Sequence, residues 1–84
     1  MNTGDIPGVV KLASKEFGIS DDESSGVLQH LIEDNDFTHF GLANAVTRYS
    51  QDIESYDRAS DLEAIGYDVL SMHMSQWNRL NQAA

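Results

Sequence analysis

The sequence of 84 residues has no cysteine, a single proline and only five lysine and arginine residues. Without cysteine the chain cannot form disulfides, thiolate nucleophiles or cysteine-ligated zinc sites. No apolar run approaches the roughly 20 residues that a helix needs to span a bilayer, and the first residues lack the pattern of a signal peptide. We therefore expect a soluble, cytoplasmic protein that forms one domain over residues 1–84, without a membrane partner.

The charge balance restricts the partners further. Fourteen aspartate and glutamate residues give a formal net charge of −9, and the five basic residues are scattered along the chain. Phosphate backbones repel such a protein unless it carries a local basic patch. The sequence thus argues against direct nucleic-acid binding. It leaves three alternatives: a partner protein with a basic surface, a metal ion, or a charge that serves only solubility.

Apolar residues recur at the spacing of one helix face through the first part of the chain. The first such stretch covers residues 6–17, with Asp5 as the expected cap and Gly18 as the expected terminator. Ser20 and Glu23 then form the pattern of a capping box, which predicts the start of a second helix.

A third helical pattern begins near Thr38 or Asp36. Its spacing leaves open whether residues 38–65 form one helix or two, although the acids and the serine of residues 52–55 favour a break there. Gly66 is expected to end this part of the chain as a helix stop.

The residues after Gly66 have β-branched and aromatic character but no partner strand elsewhere in the sequence. An isolated strand leaves its backbone groups unpaired, so residues 67–73 are predicted to form an extended connector that packs on the helices. A last short helix carries Trp77 and Leu80. The predicted fold class is all-α, a compact bundle of four to five short helices.

The predicted core consists of apolar residues that share the inner faces of these helices. They are Val10, Phe17, Leu28, Leu31, Leu42, Val46, Tyr49, Ile53 and Leu62. The seam through Leu42 and Ile53 has heptad-like spacing that continues to Tyr56, which we therefore also expect to be buried. Asn44 and Thr47 lie beside this seam and are expected to hydrogen-bond a neighbouring helix or the connector.

No catalytic, cofactor or metal site is predicted. His30 precedes Glu33 and Asp34 at helical spacing, but this arrangement is common in an acid-rich helix and no metal-binding motif accompanies it. The serines lie in no nucleophile motif, and no glycine-rich phosphate loop is present. We expect a protein that is not an enzyme.

Candidate partner-binding residues come from the acidic surface and from the aromatic residues. The acidic candidates are Asp52, Glu54, Asp57 and Asp61. Trp77 is the aromatic candidate, with two alternatives: it closes the core, or it docks on a second subunit of a homodimer. Among the other aromatic residues, Phe37, Phe40 and Tyr67 are further possible interface anchors.

One segment resembles a known family. The string Asn44-Ala45-Val46-Thr47, preceded by small apolar residues, and the later residues 56–63 are similar to the C-terminal segment of a phage- and plasmid-related protein family of unknown function. The resemblance covers about residues 37–80. It implies a mobile-element origin and an accessory or interaction role.

Two functions follow as expectations. The first is a non-enzymatic protein–protein interaction or regulatory module of phage or mobile-element type. The alternative is an acidic mimic of nucleic acid, which would occupy the basic groove of a DNA- or RNA-binding protein.

Overall fold

The computed structural model describes residues 6–83 and consists of five helices over that range. The helices are α1 (Ile6–Phe17), α2 (Asp21–Asp34), α3 (His39–Ser50), α4 (Tyr56–Leu70) and α5 (Met74–Ala83). Helix α3 packs on both α2 and α4, and α1 packs across α2, α4 and α5. The predicted all-α bundle is confirmed, and residues 6–83 contain no strand. The predicted Asp5 cap lies outside the described residues.

Local sequence signals set most helix ends. The Ser20 hydroxyl accepts the Glu23 N–H at 3.2 Å, and the Ser20 N–H donates to the Glu23 carboxylate at 2.9 Å, which completes the predicted capping box. Gly18 has a φ of +77°, the left-handed conformation that glycine adopts without strain. Thr38 caps α3 by accepting the Gly41 N–H at 3.2 Å.

The chain between Thr38 and Ile65 forms two helices. Helix α3 ends at Ser50, and α4 begins after Ser55, whose hydroxyl accepts the Arg58 N–H at 3.3 Å. The break therefore lies where the serine and acids of residues 52–55 favoured it.

The prediction that residues 67–73 form an extended connector is wrong for residues 67–70. Helix α4 continues through Gly66 to Leu70, and only residues 71–73 connect it to α5. Gly66 lies within the helix and does not end it. A glycine is needed there for close packing of α4 on α3, since a Cβ would lie 2.6 Å from Thr47 Oγ1. The backbone hydrogen bonds of residues 67–70 are made within α4, so the segment needs no partner strand.

The core lies between α3 and the four surrounding helices. Among the predicted core residues, Val10, Leu31, Leu42, Val46 and Leu62 are buried, whereas Phe17, Leu28, Tyr49 and Ile53 are partly buried and pack against them. Tyr56 was expected on the same seam but is 85% exposed, because the break moves it to the first turn of α4.

Helix α5 is held by Trp77, which is only 6% exposed. Its ring lies 6.2 Å from that of His39, the first residue of α3. Of the two alternatives for Trp77, the structure shows the one in which it closes the core. None of the described helices has the length and apolar character needed to cross a membrane.

Candidate functional site

An open groove runs between α3 and α4 and encloses about 260 Å³. We call it the α3–α4 groove. It is lined by Phe40, Ala43, Asn44 and Thr47 of α3 and by Gly66, Tyr67 and Leu70 of α4.

The floor of the groove is formed by small residues. Ala43 and Gly66 are both buried, and a Cβ built on Gly66 would come within 3.4 Å of the Ala43 carbonyl oxygen. The Thr47 hydroxyl donates to that same carbonyl at 3.1 Å, so its polar atom is already paired within α3. The two helices approach closely here, and the larger side chains of Phe40, Tyr67 and Leu70 form the walls on either side of this floor.

The walls carry exposed apolar surface. Phe40 is 57% exposed, Tyr67 is 65% exposed and Leu70 is 44% exposed. Three of the six large hydrophobic side chains exposed among the described residues thus line one groove. Exposed aromatic and large apolar side chains that line one groove make it a candidate contact site.

Acidic groups border the groove. At the Asn44 side, the Asn44 amide donates to Asp34 at 3.1 Å. On α4, Glu63 is exposed and precedes Tyr67 by one helical turn, which places both on the same side of the helix. Arg48 is the only basic side chain on this side of α3, and it is paired with Asp34 and with Glu33, the latter at 3.6 Å.

The outer face of α4 carries a second acidic feature, the α4 acidic stripe. Asp57, Asp61 and Asp68 follow one another at spacings of four and seven residues, which puts them on one face of a helix, and all three are exposed. Within residues 6–83 none of them forms a salt bridge. The predicted candidates Asp57 and Asp61 therefore share a surface, and Glu54 is exposed in the loop before them.

Asp52 does not belong to that surface. Its carboxylate contacts His30 Nε2 at 2.5 Å and so ties the loop after α3 to α2. His30 also lies 3.8 Å from Glu33, the neighbour that the sequence indicated. The described residues contain no group of three His, Asp or Glu side chains arranged to hold a metal ion.

Arg58 has a structural rather than a surface role. Its guanidinium donates to both Glu23 carboxylate oxygens, at 2.6 and 2.7 Å, and to the Gly18 carbonyl at 2.9 Å. This paired hydrogen bonding lowers the pKa of Glu23 to about 2, against the smaller opposing effect of burial. Arg58 therefore joins α4 to α2 and to the end of α1, and its charge also acts on the neighbouring Asp61.

The sequence indicates Phe40 and Tyr67 as possible anchors but not Leu70. Leu70 falls in the predicted connector, because a glycine such as Gly66 is typical of a helix stop. The signal that could have found it is the spacing of Glu63, Tyr67 and Leu70, which continues one side of α4 past Gly66.

Comparison of the chain with protein-family models, with curated proteins and with solved structures gives no match.

Proposed function

We propose that this chain is a non-enzymatic protein-interaction module and that the α3–α4 groove is its contact surface. The observation that carries the proposal is the exposure of Phe40, Tyr67 and Leu70 around a concave floor of small residues. Aromatic and large apolar side chains supply most of the binding energy in protein interfaces. A concave, partly apolar surface allows them to exclude water from a partner.

The partner that fits best has a basic surface. The chain has a net charge of −9, and the exposed Glu63 borders the groove while its nearest arginine, Arg48, is already paired with Asp34. Complementary charge of this kind accelerates association and selects among partners. The resemblance of residues 37–80 to a phage- and plasmid-related family supports placing the module in a mobile element, and this part of the proposal depends on that resemblance alone.

A retention experiment with matched variants tests the proposal. The tagged full chain, its Tyr67→Asp variant and its Tyr56→Asp variant are each incubated with extract of the source cells. Both substitutions replace an exposed tyrosine of α4 with the same charge, but only Tyr67 lines the groove. We expect a protein that is retained by the wild type and by Tyr56→Asp and is lost with Tyr67→Asp. Retention that does not depend on Tyr67 would contradict the use of the groove.

A second candidate function is supported by the α4 acidic stripe. Three exposed carboxylates in a row on a rigid helix resemble a charged backbone, and such a surface could occupy the basic groove of a nucleic-acid-binding protein. In that case Asp57→Asn, Asp61→Asn and Asp68→Asn together would abolish retention, whereas Tyr67→Asp would have no effect. Binding would also collapse as salt is raised, because exposed charges are screened.

A further inference from the structure

We infer that the occupant of the α3–α4 groove is an amphipathic α-helix of the partner protein, with an apolar stripe that enters the groove and lysine or arginine residues beside it. This inference depends on the proposed function, since it names the form of the partner at the same surface.

The backbone of the groove favours a helical occupant. Every lining residue lies in α3 or α4, so the walls of the groove contain no strand edge. An extended peptide therefore finds no unpaired strand edge with which to pair its backbone. A helix satisfies its own N–H and C=O groups and can present side chains alone to an apolar surface.

The dimensions agree with a short helix. Phe40 and Thr47, at the two ends of the α3 wall, are seven residues apart, which corresponds to about 10.5 Å along the helix axis. The anchors at i, i+3 or i+4 and i+7 of a bound helix cover that same length. The small floor residues Ala43 and Gly66 leave a depression in which a large apolar side chain of the partner can be seated.

The charges beside the groove favour basic residues on that helix. Glu63 is exposed on the α4 side of the groove and forms no salt bridge among the described residues, whereas Asp34 on the α3 side is already paired with Arg48 and Asn44. Lysine and arginine next to the apolar stripe of a bound helix would face the Glu63 edge and could extend their stems over the aromatic walls.

A second copy of this chain fits less well. Each copy carries a net charge of −9, so self-association brings like charges together. The only described helix with two basic residues is α1, which carries Lys11 and Lys15, and its apolar face is already buried in the core through Val9, Val10 and Ala13.

Designed peptides provide the test. A labelled peptide of about 15 residues, cross-linked to keep it helical, carries leucine at i, i+3, i+4 and i+7 and lysine elsewhere. A second helical peptide has the same composition with its leucines distributed around the helix. A third peptide contains the same leucines as the first, with prolines added so that it stays extended. Each is titrated by fluorescence anisotropy with the full chain and with its Tyr67→Asp and Tyr56→Asp variants, whose folding is checked by circular dichroism.

The expected results separate apolar docking from simple charge attraction. The amphipathic peptide should bind the wild type at least tenfold more tightly than its isomer. Tyr67→Asp should weaken that binding at least tenfold, which corresponds to about 1.4 kcal/mol, even though it adds a negative charge. Tyr56→Asp adds the same charge outside the groove and should leave the dissociation constant within about twofold.

Other outcomes overturn the inference in distinguishable ways. Equal binding of the two helical peptides, or equal behaviour of the two variants, would mean that only charge is recognised. Tyr67-dependent binding of the extended peptide alone would refute the helix but retain the groove as the contact surface. A dimer that Tyr67→Asp dissociates would make a second copy the occupant. If neither peptide binding nor retention from cell extract depends on Tyr67, the proposed function itself is refuted.

Discussion

At the scale of single residues, the fold depends on positions where a side chain would not fit. A Cβ on Gly26 would lie 2.5 Å from Cδ1 of Tyr49, and one on Gly41 would lie 2.8 Å from the carbonyl carbon of Asp36. The first obstacle is a side chain that can rotate, although only by leaving its partly buried place. The second is backbone, which cannot move without shifting the start of α3.

Gly41→Ala should therefore destabilise the protein by at least about 2 kcal/mol, despite the gain of about 1 kcal/mol in helix propensity that alanine brings over glycine. The measurement is urea unfolding, read as a lower midpoint with an unchanged slope. Ser60→Ala, on the exposed side of α4, serves as control and should leave the midpoint unchanged or raise it. A Gly41→Ala protein as stable as the wild type would show that α3 begins differently.

The Glu23–Arg58 pair makes stability depend on pH. The pKa of Glu23 is lowered from its ordinary 4.5 to about 2, so its ionised form stabilises the folded state. That contribution is complete above about pH 4.5 and is lost as the pH falls toward 2. Glu23→Gln should cost about 1–2 kcal/mol at neutral pH, and the difference from the wild type should shrink as the pH approaches 2.

The check is chemical unfolding of both proteins across that pH range. The exposed Glu63→Gln, which changes the same functional group outside any salt bridge of the described residues, should differ little from the wild type at any pH. A Glu23→Gln penalty that stays constant down to pH 2 would mean that the lost contact is not that of the carboxylate.

At the scale of helices, the sequence predicts correctly those helix ends that are fixed by hydrogen bonds between residues close together in the chain. The capping box of Ser20 with Glu23 and the cap at Ser55 depend on residues three positions apart, and both are readable from the sequence. Gly18 and Gly66 are the same residue type, yet only Gly18 adopts a positive φ. Gly66 is required by a residue of another helix, Thr47, and no local pattern contains that information.

Because α3 and α4 are in close contact, we expect the effect of Gly66→Ala on the free energy of unfolding to change sign when Thr47 is replaced by alanine. Gly66→Ala should destabilise the wild type by about 1 kcal/mol, because the new Cβ would lie 2.6 Å from Thr47 Oγ1. In a Thr47→Ala background that oxygen is gone, and the same substitution should be neutral or stabilising through helix propensity. Unfolding of the four proteins in urea measures the cycle, and additive effects would place the two residues out of contact.

At the scale of the whole molecule, the acidic surface could be predicted and the groove could not. Exposed carboxylates on α4 follow from composition and helical spacing, which identified Asp57 and Asp61. The groove requires knowing that α3 and α4 pack side by side and that α4 continues to Leu70. Trp77 illustrates the same difference, since its burial against His39 depends on where α5 returns to the bundle.

Removing the charges of the α4 acidic stripe distinguishes long-range electrostatic attraction of the peptide from its binding in the groove. In a variant with Asp57→Asn, Asp61→Asn and Asp68→Asn, the amphipathic peptide should associate more slowly but dissociate at nearly the wild-type rate. Its affinity should fall less than about threefold at physiological salt, because the stripe faces away from the groove. Stopped-flow fluorescence gives both rates. A loss of affinity of tenfold or more would favour the acidic mimic.

The groove exists only if α4 buries one of its leucines in the core and leaves another exposed beside α3. Leu62 is fully buried and Leu70 is 44% exposed on the same helix. Methyl NMR in the presence of a soluble gadolinium chelate measures this directly. We expect strong relaxation of the Leu70 methyls and little effect on those of Leu62, at low and high protein concentration alike. Equal protection of both leucines would contradict the open groove.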